Sequence, residues 1–146
     1  MGTRTTAETT AEPEMAKERA GRVGFVQVAI SLQTVATFFQ AATAGLLLTS
    51  VHGELLHGVG ARVMYGASML YVLAAILAWR PGGGSPRPVL YATGFLVLAS
   101  AQVLLGIARV ASLHVPLGVL MFGLSVLALA REYFTRPAGR GGRVSR

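Results

Sequence analysis

Between Arg22 and Glu54 the chain carries no charged side chain, a gap well beyond the roughly 20 apolar residues that take a helix across the hydrocarbon core of a bilayer. Three more uncharged runs follow, Val63 to Trp79, Pro88 to Ala108 and Val110 to Ala130, each bounded by arginine. The second run is short unless its helix begins near Leu55, which puts His57 in the first turns and lets Arg62 snorkel to the surface. Four transmembrane helices are therefore expected, over about 23–51, 55–79, 88–108 and 112–134. With 53% hydrophobic and 13% charged residues among 146, a water-soluble surface cannot be assembled from this chain. The expected fold class is all-α, a four-transmembrane-helix bundle embedded in lipid.

The ends and turns follow from composition. Residues 1–22 are rich in Thr and Glu and read as a disordered arm ahead of the 23–134 membrane domain, while the Gly- and Arg-rich residues 135–146 read as a disordered basic tail near anionic lipid. The apolar stretch after residue 22 is too long for a cleaved signal peptide, so the first helix is retained. From Arg80 to Pro88 the prolines and glycines end one helix and start the next. Ser112 is an N-cap candidate for the fourth helix, which would place Pro116 early enough to break no helical hydrogen bond.

Of the 13 Lys and Arg residues, all but Arg62 and Arg109 fall on the side of the two termini and the second loop. Positive residues stay on the cytoplasmic side, so both termini of this cell-membrane protein are expected there, with Trp79, Tyr91, Tyr133 and Phe134 as an aromatic belt at that interface. The net charge of +7 is thereby a topology signal and calls for no nucleic acid. There is no Cys, Asp or Asn, which leaves His, Met, Glu or backbone to hold a metal. No nucleophile constellation and no phosphate-binding glycine loop is present, so neither a hydrolase nor an ATP-driven transporter is indicated.

A shift of 57 residues lays Leu56, His57, Met64, Gly66, Ser68 and Leu70 over identical residues at 113, 114, 121, 123, 125 and 127. Gln40 with Gly45 loosely mirrors Gln102 with Gly106. The chain thus reads as two helical hairpin repeats with pseudo-twofold symmetry along the membrane normal, a construction that builds sites at the repeat interface. At 100° per residue, His57, Met64 and Ser68 share one stripe and His114, Met121 and Ser125 share another. Gly60 and Gly118 lie close to the same faces, whereas Gly66 and Gly123 point away and are expected in close contact with neighbouring helices.

In an up-down bundle the second and fourth helices are parallel and diagonal, so their histidines face each other at equal depth. Two opposed imidazoles can ligate both faces of a haem b iron, glycines one turn deeper clear space for a flat macrocycle, and Met64 and Met121 line its apolar floor. The candidate site is therefore His57 and His114 as metal ligands, with Gly60, Gly118, Met64 and Met121 around the cofactor and Arg109 to pair with a propionate. The Glu54-Leu55-Leu56-His57 and Leu113-His114 segments resemble one four-helix half of haem A synthase and, more loosely, cytochrome b561-type proteins and small bacterial four-helix membrane proteins. That resemblance, over about residues 23–134, implies haem ligation by His57 and His114 with Glu54 as an acidic neighbour. Gly58 stands where that family has an arginine, the cysteine pair is absent, and one half stands alone; haem binding rather than haem A synthesis is what the resemblance implies.

The expected function is electron transfer or haem-related redox chemistry in the membrane, with a membrane redox partner or a quinone as the other party. A contrasting expectation is a cofactor-free structural or accessory subunit of a larger membrane complex, its histidines hydrogen-bonded between helices. A homodimer completing a half-site is a third arrangement. Gln27, Gln33, Thr37, Gln40 and Thr43 make a polar stripe on the first helix, and Gln102 interrupts the third; interhelical hydrogen bonds account for them. His52 is expected as a solvated loop residue and Glu54 as a helix N-terminal charge.

Overall fold

The computed structural model describes the backbone of residues 6–80 and 84–134, with side chains from Gly24 onward. Four helices fill it: α1 (Thr6–Leu46), α2 (Gly53–Trp79), α3 (Arg87–Ile107) and α4 (Ala111–Phe134). All four contain a span long and apolar enough to cross a membrane, Gly24–Leu46 in the case of α1. The helices form a ring. Each packs on the next, α4 closes against α1, and the diagonals α1–α3 and α2–α4 make no close backbone contact among the described residues. This is a multi-pass membrane architecture, with lipid as its immediate surroundings.

Two helix ends differ from the sequence expectation. The helix of α1 runs back to Thr6, so the stretch 6–22 is helical where composition suggested a disordered arm; the run Met15-Ala16-Lys17-Glu18-Arg19-Ala20 consists of strong helix formers. The basic tail over 135–146 lies outside the described residues. At its other end α1 stops at Leu46, not near 51, because the chain turns there: the Ser50 N–H donates to the Leu46 carbonyl at 2.9 Å and the Gly53 N–H to Ser50 at 3.0 Å. A side chain at position 53 would collide with the Leu46 carbonyl, so only glycine closes this corner.

The described part of the chain buries little. Phe38, Val35, Leu90, Val97, Leu104 and Val119 are exposed on the outer surface, as lipid-facing side chains are. Inside, one apolar cluster joins Val26, Ala29, Ile30, Tyr71, Ala74, Ala75 and Ala92. A second joins Ala36, Met64, Ala67, Phe95, Ala99 and Met121. Alanine at so many buried positions lets the backbones approach, which is how helices associate where lipid removes the hydrophobic drive. Gly66 and Gly123 do not share this role. A side chain built on either meets nothing within 4 Å, so they lie on the outer surface and the expected close contacts are absent.

At the α3–α4 end, helix α4 begins at Ala111 and its His114 N–H already bonds the Val110 carbonyl at 3.0 Å. Ser112 is therefore inside the helix rather than its cap, and Pro116 sits in the interior, where it deprives the Ser112 carbonyl of its usual donor. At the opposite end, Arg80 lies over the Trp79 ring at 5.2 Å and Arg131 over the Tyr91 ring at 5.9 Å, with Arg131 Nη1 donating to the Tyr91 hydroxyl at 3.2 Å. The expected aromatic belt thus comes with cations on its faces.

The corner at residue 53 gives a direct test. Gly53→Ala should lower the thermal midpoint of the purified protein through overpacking worth about 1–3 kcal/mol, while Gly66→Ala and Gly123→Ala, mid-helix with open space around them, should raise it slightly, by up to about 1 kcal/mol each; differential scanning fluorimetry in detergent reads all three.

Candidate functional site

Helices α2 and α4 bring His57 and His114 to the same end of the bundle, where both are partly buried and their ring centroids stand 6.3 Å apart with planes inclined at 67°. This is the end that carries the α1–α2 and α3–α4 turns. The pair meets across the diagonal because the two helices run parallel and each histidine falls in the first turns of its helix.

Each ring is held by a partner from the helix before it. Thr43 Oγ1 donates its one hydrogen to the Gln40 carbonyl at 3.1 Å, so at 3.3 Å from His57 Nδ1 it acts as acceptor of that ring's N–H. His57 Nε2 is then the basic nitrogen and accepts from Gln40 Nε2 at 3.1 Å. His114 Nδ1 donates to the Gln102 backbone carbonyl at 3.1 Å, which likewise leaves Nε2 with its lone pair. The network therefore assigns the same tautomer to both rings. An Nδ1–H fixed on a carbonyl or hydroxyl, with Nε2 presented, is the usual outer support of a metal-bound histidine.

The glycines of the candidate site are where the sequence places them, but they are occupied differently. A side chain on Gly60 would collide with Gln40 Oε1 and press on Phe39, and one on Gly118 would meet Gln102 Nε2 at 2.9 Å. The room beside each glycine is thus filled by a glutamine side chain. Gln40 Oε1 and Gln102 Oε1 are both buried and meet no donor of the protein. Gly106 of α3 lies against the other side of the site, where a β-carbon built on it would stand 3.3 Å from His114 Cε1. Met64 and Met121 are both buried in one apolar cluster, seven residues deeper on each helix. Sequence reading found the polar stripe ending in Gln40 and Thr43, and Gln102 in the third helix, without assigning them to the histidines; the signal was that each lies near the turn leading to the helix that carries its histidine.

Arg109 is the one non-glycine residue with positive φ among the described residues, at 56°. It terminates α3 in a left-handed turn: the Val110 N–H reaches the Leu105 carbonyl at 3.0 Å and the Arg109 N–H the Gly106 carbonyl at 3.1 Å. Such a conformation costs roughly 1–2 kcal/mol for a residue with a β-carbon. Its exposed side chain stands beside the start of α4. Arg62 is exposed on α2. Glu54 is exposed in the first turn of α2, where a negative charge complements the helix dipole, and exposed His52 sits at the N-cap with its N–H on Ser50 Oγ.

Among the described residues no group of three or more His, Cys, Asp or Glu could hold a metal; the imidazole pair is the strongest donor set. Comparison with protein-family models, with curated proteins and with solved structures finds no match to this chain.

The tautomer assignment is testable without any ligand. In ¹⁵N-histidine spectra of the purified apoprotein, His57 and His114 should both show Nδ1 protonated and Nε2 bare. Thr43→Val should shift His57 toward a mixture of tautomers and leave His114 unchanged.

Proposed function

We propose that this protein is a b-haem-binding membrane protein working in electron transfer, with His57 and His114 as the residues that would hold the haem iron. The observation that carries the reading is the separation of the two rings. A metal–imidazole bond is about 2 Å long and the ligating nitrogen lies about 1 Å from its ring centroid, so imidazoles on opposite sides of one metal place their centroids about 6 Å apart. The 6.3 Å found here matches that distance. The matching tautomers add to it, since each Nε2 is the nitrogen left to bind iron.

The surroundings also suit a flat cofactor. What stands beside Gly60 and Gly118 is the far end of a glutamine side chain, not backbone, and two orphaned amide oxygens make those glutamine positions easy to leave. In this reading Gln40 gives up its hydrogen bond to His57 and swings off Gly60, while Thr43 and the Gln102 carbonyl keep both rings aimed. Met64 and Met121 close the floor and exclude water. Arg109 pairs with a propionate, which gives its strained backbone a use. When bound, haem would supply a one-electron couple, and a site that holds it by two histidines would suit electron transfer better than oxygen binding.

The two hairpins are proposed as repeats related by a pseudo-twofold axis, with both termini in the cytoplasm on the strength of the arginine distribution. The competing reading, a cofactor-free accessory subunit, is favoured by the hydrogen bond from Gln40 to His57, because histidines satisfied in that way need no metal.

Protein purified from haem-supplied cells should show a Soret band and sharp reduced α and β bands, lost in His57→Ala and in His114→Ala. A colourless wild type decides for the accessory subunit. Thr43→Val should weaken haem affinity about ten-fold, the scale for loss of an outer-shell partner. Arg109→Gly should weaken it too, yet raise the thermal midpoint of the apoprotein by relieving the left-handed residue. Because the chain has no cysteine, Thr49→Cys and Ser85→Cys are single labelling sites; an impermeant maleimide should modify the first in intact cells and spare the second.

A further inference from the structure

Below the histidines the bundle interior is layered, and one layer is polar. Gln33 and Thr34 of α1, Ser68 of α2 and Ser125 of α4 are all buried, with Gln33 1% exposed and both serines 0%. Their depth follows from the contacts around them. On α1 Gln33 falls between Ala36 of one apolar cluster and Ile30 of the other, as on α2 Ser68 falls between Ala67 of the first and Tyr71 of the second, so the two residues share a level. Thr34 Oγ1 reaches the Ser125 carbonyl at 3.3 Å, which puts α4 at the same level. The layer falls between the two apolar clusters, one containing Met64 and Met121 and the other Ile30, Tyr71 and Ala92.

The hydroxyl hydrogens of this layer go to backbone carbonyls of their own helices, Thr34 alone having a carbonyl of another helix, that of Ser125, also within reach. Ser68 donates to the Met64 carbonyl at 2.8 Å, Ser125 to Phe122 at 2.8 Å, Thr34 to Ile30 at 2.9 Å and Thr37 to Gln33 at 2.8 Å. Each hydroxyl has a single hydrogen, so what these oxygens still offer to the interior is lone pairs. Gln33 Oε1 is a further acceptor, buried and without a donor from the protein. A side chain with 1% exposure in the hydrocarbon interior cannot turn that oxygen toward bulk water.

We propose that this layer binds one water molecule, which donates to Gln33 Oε1 and to a serine hydroxyl oxygen and so joins α1 to α2 or α4. The chemistry required of the ligand is hydrogen-bond donation, and its charge is set by what the layer lacks. Among the described residues no carboxylate lies in the buried core, so a cation there would have no counter-charge to offset its desolvation. A water loses little by immobilisation and gains the two bonds that the buried oxygens need. The site is separate from the histidines, since the Met64 and Met121 cluster lies between them, and it stands whether or not haem is bound.

Water-edited solid-state NMR of the full chain in lipid bilayers reads this directly, with ¹³C-labelled glutamine and alanine. The Gln33 side-chain carbonyl is identified by its disappearance in Gln33→Leu. Its signal should build up from water protons at least about three-fold faster than the methyl of buried Ala29, and Ser68→Ala with Ser125→Ala should slow that build-up at least about two-fold. A Gln33 carbonyl as slow as Ala29 overturns the proposal, as does a build-up indifferent to the double substitution. A shift of the Gln33 carbonyl when sodium is replaced by a bulky organic cation would also overturn it, in favour of a bound metal ion. The wild-type build-up decides the matter even if the double variant fails to fold.

Discussion

In a bilayer the outer face of every helix is already in the solvent it prefers, so burying apolar side chains against one another supplies little of what holds this bundle together. Close approach of backbones and a small number of polar contacts must do so. The interior shows both. Ala29, Ala67, Ala74, Ala75, Ala92 and Ala99 remove bulk at the helix contacts, and Gly53 lets α1 and α2 meet at a corner that admits no side chain. Interhelical hydrogen bonds then fix depth: Gln40 and Thr43 to His57, Gln102 to His114, Tyr65 to Ser100 at 3.1 Å and Ser31 to Tyr133 at 3.2 Å.

That constraint ties the histidines to their surroundings. An imidazole in a membrane helix needs a partner for its N–H, and the one nearest in space lies on the preceding helix of each hairpin. Thr43 serves His57 through a hydroxyl and Gln102 serves His114 through a backbone carbonyl. The two solutions differ in chemistry and agree in outcome, because in both the same nitrogen is left basic. The cost of this arrangement is a buried amide oxygen on each of Gln40 and Gln102 that meets no donor of the protein.

Much of the scaffold was legible in the chain. Charge gaps located the four spans, since a charge inside hydrocarbon is expensive enough to be read directly from its absence. Helical spacing put His57, Met64 and Ser68 on one inward stripe, and the structure buries Met64 and Ser68 there with His57 partly buried above them. What escaped depends on packing between helices. Helical spacing set Gly60 on the histidine face and Gly66 off it, but could not say that a glutamine side chain fills the room beside Gly60 or that Gly66 meets no neighbour at all. The left-handed turn at Arg109 was equally hidden, because glycine is the residue expected there. The helical run from Thr6 was masked by a Thr-rich composition, although the formers in residues 15–20 favour it.

The cluster of Met64, Met121, Ala36, Ala67, Phe95 and Ala99 has a consequence for any redox role. It puts a largely apolar stratum beneath the imidazoles, crossed on α1 by Thr37, whose hydroxyl donates to the Gln33 carbonyl of its own helix, and the serine hydroxyls further down likewise spend their hydrogens on their own helices. Hydroxyls turned back in this way make a poor relay for exchanging protons. The short route for acid–base traffic at the histidines is therefore the nearer face of the bilayer, and the long way across favours an electron over a proton.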